Sequence, residues 1–135
     1  MPTRAIERLI SAIGYPERAS ADASAFTFQV DGGEILASEA GNALRLVCRL
    51  TDDAAQLPRL AEYAAGRMLR EDATLACDQE GAFLWQEASA TSDAHALQRL
   101  FETFCDSCDW WRARILSNNA RGYDEQSPDE MRIMP

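Results

Sequence analysis

Residues 91–116 read TSDAHALQRLFETFCDSCDWWRARIL, and this stretch decides the fold class. Its apolar side chains recur every three or four residues, the spacing that brings them to one side of an α-helix. They are Leu97, Leu100, Phe101, Phe104, Cys108, Trp111 and Ile115. The pattern predicts a long amphipathic helix that packs its apolar side against the rest of the domain and ends near Leu116.

A shorter amphipathic helix is predicted at the N-terminal end. Thr3 can cap it, and Gly14 followed by Pro16 would stop it, because glycine suits a left-handed cap and proline cannot continue a helix. The apolar stripe of this helix is Ile6, Leu9, Ile10 and Ile13.

Three strands are predicted next. Phe26, Phe28 and Val30 alternate with polar residues, which indicates a strand with one buried face. A turn at 31–33 leads to a return strand over 34–38, and residues 44–50 alternate again. Three consecutive strands joined by turns form an antiparallel meander.

A second helix and a hairpin complete the chain before residue 91. The helix has a stripe rich in small residues, which lets another surface approach closely. One candidate for that surface is the same helix in a second copy of the chain. Strands 74–77 and 82–87 flank the turn sequence DQEG, with Phe83 and Trp85 on one face of the second strand. The stripe of the second helix is Leu57, Leu60, Ala61, Ala64, Ala65 and Met68.

The order of elements is therefore α-β-β-β-α-β-β-α. It predicts a two-layer α+β fold with an antiparallel sheet packed against helices. We expect one domain over 1–117. Because Ser117, Asn118, Asn119 and Gly122 interrupt the helical periodicity, we expect a polar, flexible tail over 118–135.

Composition narrows the function classes. The 135 residues carry a net charge of −9, which argues against nucleic acid as a partner, since phosphate binding needs concentrated positive charge. We find neither a signal peptide nor an apolar run of about 18 residues that could span a bilayer. We therefore expect a cytoplasmic protein whose four cysteines are thiols.

No set of residues forms a recognisable catalytic or metal site. Cys105 and Cys108 have the Cys-x-x-Cys spacing, but they fall in mid-helix beside Asp106 and Asp109, where a thiolate is disfavoured. His95 reads as a surface residue, and the cysteines lack the paired spacing of a zinc site. We predict no catalytic residue, no metal and no cofactor. Trp110 lies outside the apolar stripe, so it either covers a sheet edge or is an exposed anchor for a partner.

The chain resembles the class I chaperones of bacterial type III secretion, which are small, acidic and bind individual effectors. The resemblance spans about residues 3–116. It rests on element order and on two local patterns: residues 75–85, LACDQEGAFLW, are similar to the hairpin of that family. Phe101 and Phe104, followed by Trp111 and Ile115, are similar to its closing helix.

The resemblance implies a homodimer without enzymatic activity. Such a chaperone keeps the N-terminal segment of an effector extended and competent for secretion. We expect effector contacts at Ile6, Leu9, Ile10, Ile13, Phe26, Phe28, Val30 and Trp110, the first four competing between core and groove roles. We expect a dimer interface at Leu60, Ala61, Ala64, Met68 and Trp85. Two alternatives remain: a regulatory protein-binding domain of similar fold unconnected with secretion, and a thiol enzyme using Cys105 and Cys108.

Overall fold

The structure confirms the predicted order of elements. It is a computed structural model that describes residues 4–17, 24–30, 33–67 and 72–132, with side chains 54 and 116–132 left out of the description. The helices are α1 (Ala5–Ile13), α2 (Leu57–Arg67) and α3 (Ala94–Arg132), and a 3₁₀ turn (Ala54–Gln56) precedes α2. The strands are β1 (Ala25–Val30), β2 (Gly33–Ala40), β3 (Ala43–Thr51), β4 (Thr74–Asp78) and β5 (Gly81–Ser89).

The five strands form one antiparallel sheet in the order β1-β2-β3-β5-β4. The last strand of the chain is therefore inserted between the meander and β4. This order makes β1 and β4 the two edge strands among the described residues. The fold class predicted from the sequence, α+β with an antiparallel sheet packed against helices, is confirmed.

The core lies between one face of the sheet and the helices α1 and α3. On β3 the side chains of Leu44, Leu46 and Cys48 point to this face and are fully buried. The α3 stripe predicted from residues 91–116 is buried along its whole length. Its members Leu97, Phe104 and Cys108 have no exposed surface, and Trp111 has 1%.

Two long-range contacts fix α1 on this core. The Arg8 guanidinium donates hydrogen bonds to the carbonyls of Ser92 and Ala90, in the connection between β5 and α3. At the first turn, the Ala5 amide donates to Glu39 Oε1 at 3.2 Å. Glu39 thus satisfies an amide that has no partner within the helix. The N-cap position is Arg4, and Thr3, the predicted cap, lies outside the described residues.

The β4–β5 hairpin depends on a glycine. Gly81 has φ +127°, and a Cβ there would collide with the carbonyl oxygen of Thr51 and lie 2.7 Å from the Cα of Asp52. The end of β3 therefore packs directly on the backbone of the hairpin. The turn predicted at residues 78–81 is confirmed, with Asp78 paired to Gly81.

α3 extends further than the sequence predicted. We expected the helix to end near Leu116, but it continues to Arg132. The asparagines and Gly122 carry a helix penalty of at most about 1 kcal/mol each, which weakens a helix without ending it. Neighbouring Ala120, Arg121 and Glu125 favour helix. The division between a domain over 1–117 and a flexible tail stays a prediction.

Candidate functional site

A groove runs between α1, the edge strand β1 and α3. It encloses a cavity of about 410 Å³ whose apolar surface comes from Ile13, Tyr15, Val30 and Phe101. Ile13 and Tyr15 stand at the C-terminal end of α1, and Val30 ends β1. Residues from α1, β1 and α3 and from the turn after α1 therefore meet at one partly open site.

The rim of this groove is polar and acidic. Glu102 and Asp106 contribute carboxylates from the exposed side of α3, and Gln29 and Gln98 contribute amides. A smaller cavity of about 210 Å³ shares Val30 with the groove and is lined on α3 by Asp109 and Arg112. The site thus offers an apolar floor with acidic groups above it, which suits a peptide with apolar and basic side chains.

β1 exposes a backbone edge beside the groove. Within the described residues it pairs with β2 on one side only. On the other side the Gln29 amide donates a hydrogen bond to the hydroxyl of Tyr15 at 2.8 Å. Backbone donors alternate between the two edges of a strand, so this amide belongs to the outer edge. An extended peptide could use the same donor.

The sequence did not single out Tyr15. Its ring packs edge-on against Phe28 and Phe26, with centroids 4.9 and 5.8 Å apart. The only local signal was an aromatic residue directly after the stop glycine Gly14. Its contacts with β1 arise from the chain reversal after α1, which periodicity does not encode.

Four of the predicted effector contacts have almost no accessible surface in the protomer. Ile6, Leu9 and Phe28 are fully buried, and Ile10 is 5% exposed. α1 packs against α3 and β2, and this packing buries one side of its apolar stripe completely. These four residues therefore belong to the core, which was one of the two roles considered for the α1 members. The half-buried Ile13, Phe26 and Val30 keep surface that a ligand could reach, and their role stays a prediction.

Trp110, another predicted effector contact, packs between helices α2 and α3. Its ring lies 3.9 Å from the Arg67 guanidinium carbon and 4.5 Å from that of Arg114. Tyr63 of α2 meets it edge-on at 6.1 Å. The ring therefore joins α2 to α3 through cation–π and aromatic contacts. It lines neither of the two cavities described above.

The predicted dimer-interface residues lie in different environments. Leu60 is fully buried and is a core residue of the protomer. Ala61 is exposed and Ala64 half-buried on α2, while Met68 lies outside the described residues. Trp85 is half-buried on the sheet face opposite α1 and α3. Among the members of this set that the structure describes, Ala61, Ala64 and Trp85 are placed where another molecule could touch them.

The sheet face that carries Trp85 mixes apolar side chains with ion pairs. Val47 lies directly opposite Trp85 across the β3–β5 pairing, and Leu36, 42% exposed, lies opposite Val47. Arg45 stacks on Trp85 with its guanidinium carbon 4.7 Å from the ring, and it pairs with Glu87 at 2.8 Å. The apolar row is thus partly covered by arginine.

A second arginine on this face holds the β4–β5 hairpin to β3. Arg49 forms two parallel hydrogen bonds with Asp78, at 2.8 and 2.9 Å. This pairing, together with the Glu80 amide that donates to Asp78, lowers the pKa of the Asp78 carboxyl to about 2.

The cysteines are arranged differently from a redox pair. Cys105 of the Cys-x-x-Cys sequence faces the groove, and burial together with Asp109 and Asp106 raises its pKa to about 11. Cys108 points into the core, where a hydrogen bond with Cys48 and burial raise its pKa. A nucleophilic thiol needs the opposite shift together with access to solvent.

Cys48 is the thiol whose pKa is lowered, by the hydrogen bond with Cys108 and by the charge of Arg112, against the effect of burial. Arg112 donates to its sulfur at 2.8 Å, yet Cys48 has no exposed surface. The residues described contain no cluster of three or more His, Cys, Asp or Glu side chains suited to a metal. The cysteine with the lowered pKa, Cys48, is therefore out of reach of solvent, and the cysteine that lines the groove, Cys105, has a raised pKa.

None of the described helices is long and apolar enough to cross a membrane. No protein-family model and no curated protein matches the chain by sequence.

Solved structures do match the fold. The complex of HopA1 with SchA, described as a chaperone–effector complex, superimposes with a TM-score of 0.61 at 15% identity, over 81% of this chain and 91% of that one. The ExoT–SpcS complex from Pseudomonas aeruginosa superimposes with a TM-score of 0.61 at 18% identity, over 78% of this chain and 91% of that one. The Yersinia pestis type III secretion chaperone SycH, bound to a fragment of YscM2, superimposes with a TM-score of 0.59 at 13% identity. The match covers 79% of this chain and 96% of that one. The chain therefore has the fold of type III secretion chaperones, which confirms the resemblance at the level of fold.

Proposed function

We propose that the chain is a cytoplasmic type III secretion chaperone that holds the N-terminal segment of an effector in an extended state. The observation that carries this proposal is the position of β1, a sheet edge that borders the apolar groove. An extended segment can pair its backbone with that edge and place alternate side chains in the groove. A helical surface of a folded partner offers neither an unpaired strand nor side chains at the spacing of a strand.

The chemistry of the groove specifies the segment. Alternate residues of an added strand point to the same face of the sheet, so every second residue of the client meets Val30, Phe101 and Ile13. These positions should be large and apolar. The acidic rim favours lysine or arginine next to them, and the net charge of −9 adds long-range attraction for such a segment.

Binding without catalysis fits the site. The groove holds one cysteine, Cys105, and its raised pKa keeps it a neutral thiol. The rim carboxylates are on the exposed side of α3. Affinity would then come from apolar burial and from the backbone hydrogen bonds of the added strand.

We also propose that the chaperone works as a homodimer through α2 and the sheet face beside Trp85. The exposed Ala61 and half-buried Ala64 let a second helix approach closely, and Trp85 offers a large apolar side chain on the sheet face opposite α1 and α3. Light scattering should give about 30 kDa, twice the chain mass of 15.0 kDa. Ala64→Arg should give a monomer, whereas Ala12→Arg, a matched change of a half-buried alanine on α1, should leave the dimer intact.

The client is tested by co-expression with the proteins encoded next to this chain. One of them should co-purify, and proteolysis should leave its N-terminal segment intact only when the chaperone is bound. Val30→Asp, which puts a charge on the apolar floor of the groove, should abolish capture. Leu75→Asp makes the same change in chemistry at a half-buried residue of β4, the edge strand far from the groove, and should retain capture.

Two results would contradict the proposal. If Val30→Asp and Leu75→Asp capture the client equally well, the groove is not the binding site. If the captured partner is never secreted, the chain is instead a regulatory protein-binding domain of the same fold.

A further inference from the structure

Tyr15 occupies the position that an added strand would need. Its hydroxyl accepts the hydrogen bond of the Gln29 amide at 2.8 Å, on the outer edge of β1. Its ring covers Phe28 and Phe26 and forms part of the apolar surface of the groove. The Tyr15 side chain thus supplies an oxygen that accepts from the Gln29 backbone amide and an apolar ring that covers Phe28 and Phe26. A client strand would bring the same two kinds of group.

The end of α1 holds Tyr15 in this position. Gly14 adopts φ +71°, and its amide donates to the carbonyl of Ser11 at 3.2 Å. The Tyr15 amide donates to the carbonyl of Ile10 at 3.1 Å, which completes the reversed helix end known as a Schellman motif. The cap therefore fixes the backbone of Tyr15 at a position from which its side chain reaches β1. Rotation about the χ angles of Tyr15 can release the side chain without unfolding α1.

We propose that Tyr15 is a gate built into the chaperone, which closes the β1 edge in the free protein and must be displaced by the client. This inference rests on the proposed function, because it names what regulates and selects binding at the same groove. The client residue that pairs with Gln29 replaces the phenol oxygen by its own backbone carbonyl. The residues on either side of it point into the groove, since neighbours along a strand alternate faces, and one of them replaces the tyrosine ring on Phe28.

The gate predicts a selection rule. A segment that supplies only backbone hydrogen bonds regains the Gln29 contact but leaves Phe26 and Phe28 uncovered. A segment with an aromatic or large aliphatic side chain next to the Gln29-paired residue regains both contacts. The free chaperone therefore prefers the second kind of segment and keeps its edge closed to unrelated strands, which limits edge-to-edge aggregation.

The first experiment measures amide hydrogen exchange in the free protein by NMR. Tyr15→Phe keeps the ring and removes the acceptor, so exchange at the Gln29 amide should accelerate about 3- to 10-fold, the effect of losing one hydrogen bond. Tyr63→Phe, which removes a phenol oxygen from α2, should leave Gln29 unchanged. Equal exchange rates at Gln29 in the wild type and Tyr15→Phe would overturn the gate, whether or not the chain is a chaperone.

The second experiment uses synthetic peptides tiled over the N-terminal segments of proteins encoded beside this chain. A peptide that binds should bind Tyr15→Phe about 3- to 10-fold more tightly than the wild type and Tyr63→Phe, because it no longer competes with the phenol oxygen. Tyr15→Ala should bind more tightly still, but only for peptides with a large apolar residue at the selected position. Equal or weaker binding by Tyr15→Phe would refute the gate. If no peptide binds any of the proteins, the proposed function fails for these clients, and the exchange rates decide whether Tyr15 closes the edge.

Discussion

Replacing Gly81 by alanine should destabilise this protein more than any other single methyl addition at a described glycine. Two effects combine there. The backbone conformation at φ +127° costs a residue with a side chain about 1–3 kcal/mol. The new Cβ would also collide with the Thr51 carbonyl oxygen and approach the Asp52 Cα to 2.7 Å. These are backbone atoms, so relief requires moving the end of β3.

The displacement of β3 adds about 1–3 kcal/mol, the usual cost of forcing extra volume into packed structure. The expected loss of unfolding free energy is thus about 4 kcal/mol, a large part of the roughly 5–15 kcal/mol that a domain of this size has. Gly41→Ala is the matched control. Gly41 also has positive φ, +60°, but no atom lies within 4 Å of its added Cβ, so it should lose only about 1 kcal/mol.

Urea denaturation followed by tryptophan fluorescence measures both variants. Unfolding free energies of the two variants that agree within about 1 kcal/mol would refute the close packing of β3 on the β4–β5 hairpin.

Three further predictions concern single contacts. Asp78 has a pKa of about 2 in the folded protein against an ordinary 3.8. Its ionised carboxylate therefore contributes fully to the free energy of unfolding above pH 3.8, and this contribution is lost as pH falls toward 2. The stability difference between the wild type and Asp78→Asn, measured by urea unfolding across this range, should therefore shrink as pH falls, and a constant difference would contradict the pairing with Arg49. Cys77 is exposed, so a thiol reagent should label it first in the native protein and reach the two fully buried cysteines only on unfolding; equal rates would be inconsistent with their burial. Glu39→Gln weakens the acceptor for the Ala5 amide at the start of α1, so the free energy of unfolding should fall by about 1 kcal/mol. Thermal unfolding measures this loss, and an unchanged midpoint temperature would contradict the contact.

The part of the fold that could be predicted from the sequence is the part encoded by local periodicity. The stripe from Leu97 to Ile115 is buried as expected, and the turn between β4 and β5 lies where glycine and polar residues indicated it. The insertion of β5 between β3 and β4 was not predicted, because strand order depends on contacts between distant segments. The end of α3 was placed too early because asparagine and glycine weaken a helix without stopping it.

The site was predicted only in part, for a related reason. Spacing assigned Ile6, Leu9 and Ile13 to one stripe, but it could not divide that stripe between core and groove. The division depends on how α1 lies on the sheet, and this orientation is set by distant contacts such as that of Arg8 with Ser92. Tyr15 was missed because its partners are an edge amide and rings that only the folded chain brings to it.

The most direct test of the proposed function is amide hydrogen exchange of the chain with and without its captured effector segment. We predict that binding slows exchange along Ala25–Val30, as expected when a strand is added to β1, and leaves the other edge at Thr74–Asp78 unchanged. Slower exchange at Thr74–Asp78 with no change at Ala25–Val30 would contradict effector binding at the β1 edge.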